Sequence, residues 1–134
     1  MPFSLIRFNL IDPTLDSQSL SDRYKAMLDM AEFADQNGFF MATFEEHHGA
    51  DNAWSPTPLM NAGTVLARTT NLSASISALL LPLHDPIRVA EDIAVIDLMS
   101  GGRLTVIFGL GYRPSEYQLM GKDWDNRGKI MDES

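Results

Sequence analysis

The sequence predicts an α/β fold built on about four parallel strands that alternate with helices. Apolar runs of strand length recur along the 134 residues, segments with apolar side chains at helical spacing separate them, and turn or capping residues mark the boundaries. Strands that alternate with helices form a parallel sheet. Two architectures satisfy this order, an open doubly wound sheet and half of an eight-stranded β/α barrel, and the pattern alone does not choose between them.

The first unit along the chain is a strand, a helix and a second strand. Residues 3–10 form an apolar run that ends at the turn signal Asp12-Pro13. Apolar residues then recur at helical spacing over 20–34, and Gly38 follows as a stop. The apolar run 39–44 predicts the second strand.

The second unit repeats the pattern with clearer helix starts. Thr57-Pro58 offers a capping residue followed by proline at the first helical position, and this helix is expected to end near Asn71. Residues 72–81 alternate serine with apolar side chains, which is the period of a strand. Asp85-Pro86 repeats the cap and opens a third helix, which stops at Gly101-Gly102.

The last part of the chain begins with a fourth strand, 103–108, which enters a loop at Gly109-Leu110-Gly111. Residues 113–134 are polar and predict a short helix followed by the opening of a longer one. The loop supplies the first two glycines of a dinucleotide-binding turn but has Pro114 where the third belongs, so a Rossmann site is disfavoured. A glycine loop at a strand end can still approach a ligand closely.

Composition excludes several classes of function. A formal net charge of -8 and scattered basic residues argue against nucleic acid or an anionic membrane as partner. The absence of cysteine excludes disulfides, thiolate metal sites and cysteine nucleophiles. The N-terminus lacks a basic start followed by a long apolar core, and no apolar run could cross a bilayer. We therefore expect a soluble, cytoplasmic protein.

The strongest chemical signal is Glu45-Glu46-His47-His48-Gly49, directly after the second strand. His47 is the candidate proton-transfer residue because its ordinary pKa is near neutral. The competing interpretation is a structural histidine paired with Glu45 or Glu46. Adjacent residues at a strand exit point apart and no third ligand stands at a familiar spacing, so we expect no metal site. Asp85 and Arg88 read as a helix cap and a surface pair.

Several segments together resemble the bacterial luciferase-like family of flavin-dependent monooxygenases. The similarity keeps the order of the family's motifs over nearly the whole chain and resides in five segments: 46–48, 81–92, 97–103, the loop to Gly111, and 121–127. It implies an eight-stranded β/α (TIM) barrel with its active site at the carboxyl ends of the strands. Residues 1–134 would be the N-terminal half of that barrel domain.

The resemblance also implies a cofactor and partners. Family members bind reduced FMN from a separate flavin reductase and use oxygen to oxidise a small organic substrate, whereas some relatives use a deazaflavin and transfer hydride. His47 matches the active-site histidine, and Glu46 would orient the site. Ser77-Ala78 matches a non-proline cis peptide beneath the flavin, and Gly109, Leu110, Gly111 and Tyr112 would line its edge. Without cysteine, a light-emitting member is not expected.

Length raises an alternative. A β/α barrel typically needs about 250 residues, so we expect a truncated flavin monooxygenase whose phosphate-binding residues lie elsewhere. The alternative is a stand-alone half-barrel that pairs with a second copy as a binding or structural module, because four strands alone leave two unpaired edges. A homo-oligomer is expected, and self-pairing in particular predicts a dimer with buried edges. An open-sheet dinucleotide-binding domain ranks last.

Overall fold

The computed structural model describes residues 3–134 and contains one four-stranded parallel sheet. The strands fall within all four predicted runs: β1 (Leu5–Phe8), β2 (Met41–Phe44), β3 (Ser73–Leu79) and β4 (Leu104–Phe108). The helices follow as predicted: α1 (Ser17–Gln36), α2 (Pro58–Arg68), α3 (Pro86–Ser100), α4 (Pro114–Leu119) and α5 (Arg127–Glu133). A single 3-10 turn, Leu81–Leu83, joins β3 to α3.

The sheet adds its strands in chain order, β1-β2-β3-β4, with no reversal. A doubly wound sheet reverses its strand order at a switch point, whereas a β/α barrel adds each new strand on the same side. The fold is therefore the partial β/α barrel that the resemblance implies. Within residues 3–134, β1 and β4 each keep one unpaired edge.

The core lies between the sheet and the helices that cover it. Small side chains at Ala31, Ala34 and Ala62 are fully buried, which lets α1 and α2 lie close to the strands. The larger buried side chains that fill the remaining space come from β1, β2 and β3, from α1, α2 and α3, and from the residue before β3: Phe8, Met27, Phe44, Val65, Leu66, Leu72, Ile76, Leu79 and Val89. No helix among residues 3–134 is long and apolar enough to cross a membrane.

The end of α2 and its N-terminal cap differ from expectation, whereas its first residue, Pro58, is the one predicted. The helix α2 ends at Arg68 rather than near Asn71, because Thr69 is extended and the Asp35 carboxylate accepts the backbone N–H groups of the following residues, Thr70 and Asn71. Thr57 precedes α2, but its side chain makes no capping hydrogen bond.

The cap of α3 is as predicted. The Asp85 carboxylate accepts from the backbone N–H groups of Ile87 and Arg88 at 2.9 and 3.1 Å. Arg88 forms an exposed ion pair with Asp92, at 2.9 Å between Nη2 and Oδ1.

Candidate functional site

The carboxyl ends of three strands gather the side chains that the sequence singled out. In a parallel sheet these ends share one edge, so the loops that leave them lie side by side. The exit of β2 carries Glu45 to His48, the exit of β3 carries Ala78 to Leu80, and the exit of β4 carries Gly109 to Tyr112. The site is the sum of these three exits and the helix α4 that follows the last of them.

His47 is held by Glu116, a residue of α4. Its Nδ1 lies 3.0 Å from Glu116 Oε1, and both side chains are buried. The same carboxylate oxygen accepts the backbone N–H of His48 at 3.1 Å and faces Arg113 Nη1 at 3.4 Å. Because a carboxylate only accepts, His47 Nδ1 carries the hydrogen and the neutral ring keeps Nε2 as its acceptor. In this tautomer Nε2 can accept a proton and afterwards give it back.

Aromatic rings enclose the His47 imidazole. The Trp54 ring lies 3.7 Å from it, centroid to centroid, and the Tyr112 ring approaches edge-on at 5.7 Å. Trp54 is itself fixed, because its Nε1–H donates to Glu45 Oε1 at 2.9 Å and Glu45 is paired with Arg7. Tyr112 is two-thirds exposed, so His47 lies at the border between the packed interior and the open face of the loop.

Glu116 Oε2 is buried and makes no hydrogen bond to any of the described residues. A buried carboxylate oxygen without a donor costs free energy, so such an atom calls for a donor from water or a bound molecule. The site therefore has one unused acceptor beside its proton-transfer pair.

His48 belongs to a different cluster. We call it the Glu46 cluster and define it as Glu46, His48 and His84. Glu46 Oε1 lies 2.7 Å from His48 Nε2 and 2.5 Å from His84 Nε2, while Oε2 accepts the backbone N–H of Leu80 at 2.6 Å. Burial opposes ionisation of Glu46, but these hydrogen bonds outweigh it and lower the pKa to about 2. The hydrogen bond to Glu46 raises the pKa of His48.

The β3 exit has the backbone form that the resemblance implies. The Ser77–Ala78 peptide bond is cis. Gly109 packs directly on this bond, since a Cβ added at Gly109 would lie 2.8 Å from the Ala78 Cβ. The next glycine, Gly111, has a φ of +74°. The loop is further anchored because the Tyr117 hydroxyl donates to the Leu110 carbonyl at 2.5 Å.

The structure thus brings most of the predicted residues together at one edge, with two differences of partner. The side-chain hydrogen bonds of Glu46 to histidine go to His48 and His84 rather than to His47, so the predicted pairing of a histidine with Glu46 holds for His48. His47 takes Glu116, which no motif marked. Glu116 follows Pro114 in the first turn of α4, and the only signal was that the glycine loop leads straight into a short helix.

His84 is the second residue that sequence reasoning missed. No third ligand for His47 or His48 stands at a familiar spacing, yet the fold brings His84 from beyond β3 to the ring of His48, with 6.1 Å between centroids. Adjacent side chains at the β2 exit do point apart, as expected, so His47 and His48 serve separate clusters. The sequence spacings used to recognise metal sites apply to ligands that are close in sequence, and they do not detect ligands that come from the exits of two different strands.

Comparison with known proteins gives the same picture. A model of the family described as luciferase-like monooxygenase matches residues 1–134. The chain is 28% identical over 120 residues to the oxygenase component of flavin-dependent trigonelline monooxygenase of Acinetobacter baylyi, an alignment that covers 90% of this chain and 33% of that protein.

Two solved structures share the fold. Monooxygenase RslO1 from Streptomyces bottropensis has a TM-score of 0.88 and 29% identity, covering 99% of this chain and 40% of the other. The oxygenating constituent of 3,6-diketocamphane monooxygenase from Pseudomonas putida, in complex with FMN, has a TM-score of 0.87 and 20% identity, covering 99% and 37%. The chain spans about a third of the length of the curated relatives it matches.

Proposed function

This chain belongs to the luciferase-like monooxygenase family, and we propose that it carries the proton-transfer side of the active site of an FMN-dependent monooxygenase. In this proposal residues 1–134 form the first four β/α units of an eight-stranded barrel. His47 is the catalytic residue, and Glu116 is a positioning residue that acts through it. The observation that carries the proposal is the buried His47–Glu116 pair at the carboxyl edge of the sheet.

The role of Glu116 follows from its geometry. Its carboxylate fixes the His47 hydrogen on Nδ1 and stabilises the imidazolium that forms when Nε2 takes a proton. The His48 backbone N–H and Arg113 hold the same oxygen, so the carboxylate cannot turn away from the ring. Trp54 covers one face of the imidazole and keeps bulk water from it, which strengthens the pair.

The surface beside this pair suits a flat, largely apolar ring system. Ile107, Leu110 and Tyr112 are exposed large side chains on β4 or in its exit loop, and Gly109 adds no side chain between that loop and the cis peptide. Reduced FMN, when bound, would supply the two electrons with which oxygen is cleaved, one oxygen atom being inserted into the substrate and the other leaving as water. Ser77, Ala78 and residues 109–112 would contact the ring, and Glu46 would hold the neighbouring β3 exit through Leu80.

FMN is preferred to a deazaflavin because the trigonelline relative, 28% identical over 120 residues, is flavin-dependent. A flavin reductase would deliver the reduced cofactor, and a small organic molecule would be the substrate. These partners and a homo-oligomeric assembly remain proposals for this chain.

The first test is anaerobic titration of the purified protein with reduced FMN, with oxidised FMN and with a reduced deazaflavin, while light scattering gives the mass in solution. The proposal expects reduced FMN to bind through its ring alone, and therefore weakly. Failure of a natively folded protein to bind any of the three would overturn it, and binding of the deazaflavin alone would replace oxygenation by hydride transfer. A flavin-free dimer would instead favour the self-pairing half-barrel.

The second test separates the two residues. Enzyme with reduced FMN is mixed with labelled oxygen and a panel that includes trigonelline and 3,6-diketocamphane, and product mass reports insertion of one oxygen atom. We expect H47Q to bind reduced FMN as wild type does but to lose about 100-fold or more in product formation. E116Q should lose less, and E32Q, the same change at an exposed ion pair on α1, should lose nothing. Equal rates for H47Q and E32Q would remove His47 from the mechanism.

A further inference from the structure

We propose that the Glu46 cluster is a binding site for a divalent first-row transition metal such as Zn²⁺. Each of the three residues offers one ligand atom, and these atoms all lie within 4.8 Å of one another. The inference does not depend on the proposed function, because His47 and Glu116 belong to the other cluster.

The donor set is one that such metals bind. Two imidazole nitrogens and one carboxylate oxygen are the ligands of many three-residue zinc sites, in which the fourth position stays open for water or another ligand. In this protein both Nε2 atoms converge on a single oxygen, Glu46 Oε1, at 2.5 and 2.7 Å. Tetrahedral bonds of 2.0–2.2 Å place neighbouring ligand atoms roughly 3.3 Å apart, so each nitrogen has to move away from Glu46 Oε1 by less than about 1 Å.

The surroundings of the Glu46 cluster fix the orientation of its carboxylate and leave a path by which an ion can enter. Glu46 is held by the Leu80 N–H on its other oxygen, which fixes its orientation as second-shell hydrogen bonds do in metal sites. Glu46 and His84 line a cavity of about 250 Å³ between the starts of α2 and α3, with Asp85, Arg88 and Asp92 also on its wall. The His84 side chain is 27% exposed whereas Glu46 is fully buried, so an ion would enter from the His84 side.

A metal here would join two separate parts of the chain. Glu46 and His48 leave β2, whereas His84 stands between the 3-10 turn and α3. Binding would fasten the β2 exit to the segment after β3 and stabilise the folded state by mass action, because the unfolded chain does not hold the three ligands together.

The direct test is calorimetric titration of untagged, EDTA-treated protein with ZnCl₂ at fixed pH. We expect one Zn²⁺ per chain. Loss of a second-shell partner already weakens metal affinity 10- to 100-fold, so H48Q and H84Q, which remove direct ligands, should weaken it by about 100-fold or more. H47Q makes the same change at the adjacent histidine and should stay within about threefold of wild type.

Each result decides the matter. The absence of stoichiometric binding to wild type, or equal affinity in wild type, H48Q and H84Q, overturns the site, and so does loss of binding in H47Q of the same size as in H84Q. Should the variants fail to fold, wild-type crystals soaked in ZnCl₂ give an independent answer. An anomalous peak between Glu46, His48 and His84 supports the proposal, and a peak elsewhere or none overturns it.

Discussion

Arg103 closes the junction between α2 and β3, and replacing it with lysine should be among the most destabilising conservative changes in the protein. Its guanidinium donates five hydrogen bonds: Nε to the Ser100 carbonyl, Nη1 to the Leu72 carbonyl and the Thr69 hydroxyl, and Nη2 to the Leu66 and Thr69 carbonyls. The four donor-to-carbonyl distances run from 2.8 to 3.1 Å. One side chain therefore holds the ends of α2 and α3 and the start of β3.

Lysine keeps the positive charge of Arg103 but lacks the planar, forked arrangement of N–H donors of a guanidinium group. Its three N–H groups radiate from one atom and can reach about two of the five acceptors, so R103K loses about three charge-assisted hydrogen bonds. At a half-buried site each is worth about 1 kcal/mol net, and the free energy of unfolding should fall by about 3 kcal/mol. Urea unfolding followed by circular dichroism measures this difference.

Arg68 supplies the matched control. It also binds in a fork, to the Glu32 carboxylate at 2.8 and 3.0 Å, but both side chains are exposed. Exposed ion pairs contribute about 0–1 kcal/mol, so R68K should change stability by less than about 1 kcal/mol. The reasoning fails if R103K and R68K lower the free energy of unfolding by the same amount.

Three other predictions concern the caps, the glycine loop and acid stability. D85A should cost about 1 kcal/mol of unfolding free energy because it removes two capping bonds, whereas T57A should cost almost nothing, and thermal melts of both compare them. G109A forces a Cβ to within 2.8 Å of the Ala78 Cβ, which should cost about 1–3 kcal/mol in urea unfolding, and unchanged stability would contradict the close packing. In EDTA buffer, the ionised Glu46 contributes about 3 kcal/mol to the free energy of unfolding above its unfolded pKa of 4.5. This contribution is lost as the pH falls toward 2, and E46Q should flatten that part of the profile of stability against pH.

The order and type of the elements could be predicted because each rests on local signals. Asp85 illustrates this, since a cap followed by proline acts within one turn and needs no partner from elsewhere. The end of α2 could not be predicted in the same way. It is set by hydrogen bonds between two distant side chains and the backbone of residues 69–72. Asp35 on α1 precedes this turn in the sequence, and Arg103 before β4 follows it. When distant side chains end a helix, the sequence near its last residue carries no signal for that end.

The candidate site divides along the same line. His47, the cis peptide position and the glycine loop follow from local sequence or from the family pattern. Glu116 and His84 do not, because each meets its partner across a strand exit, 69 residues after His47 in one case and 38 residues after Glu46 in the other. Only the strand order puts those exits side by side, and the strand order itself was one of two that the pattern allowed.

The alternation of a strand continues beyond the last residue of β2, and this explains why two clusters arise from one short segment. Glu45 and His47 both contact Trp54, whereas Glu46 and His48 contact each other and lie beside His84. Side chains two residues apart face the same side of an extended chain. Glu45 and His47 therefore lie on one side of this segment, and Glu46 and His48 lie on the other. A change of the His47 side chain should therefore leave the Glu46 cluster intact. H47Q and H84Q test different functions even though one segment of backbone carries both clusters.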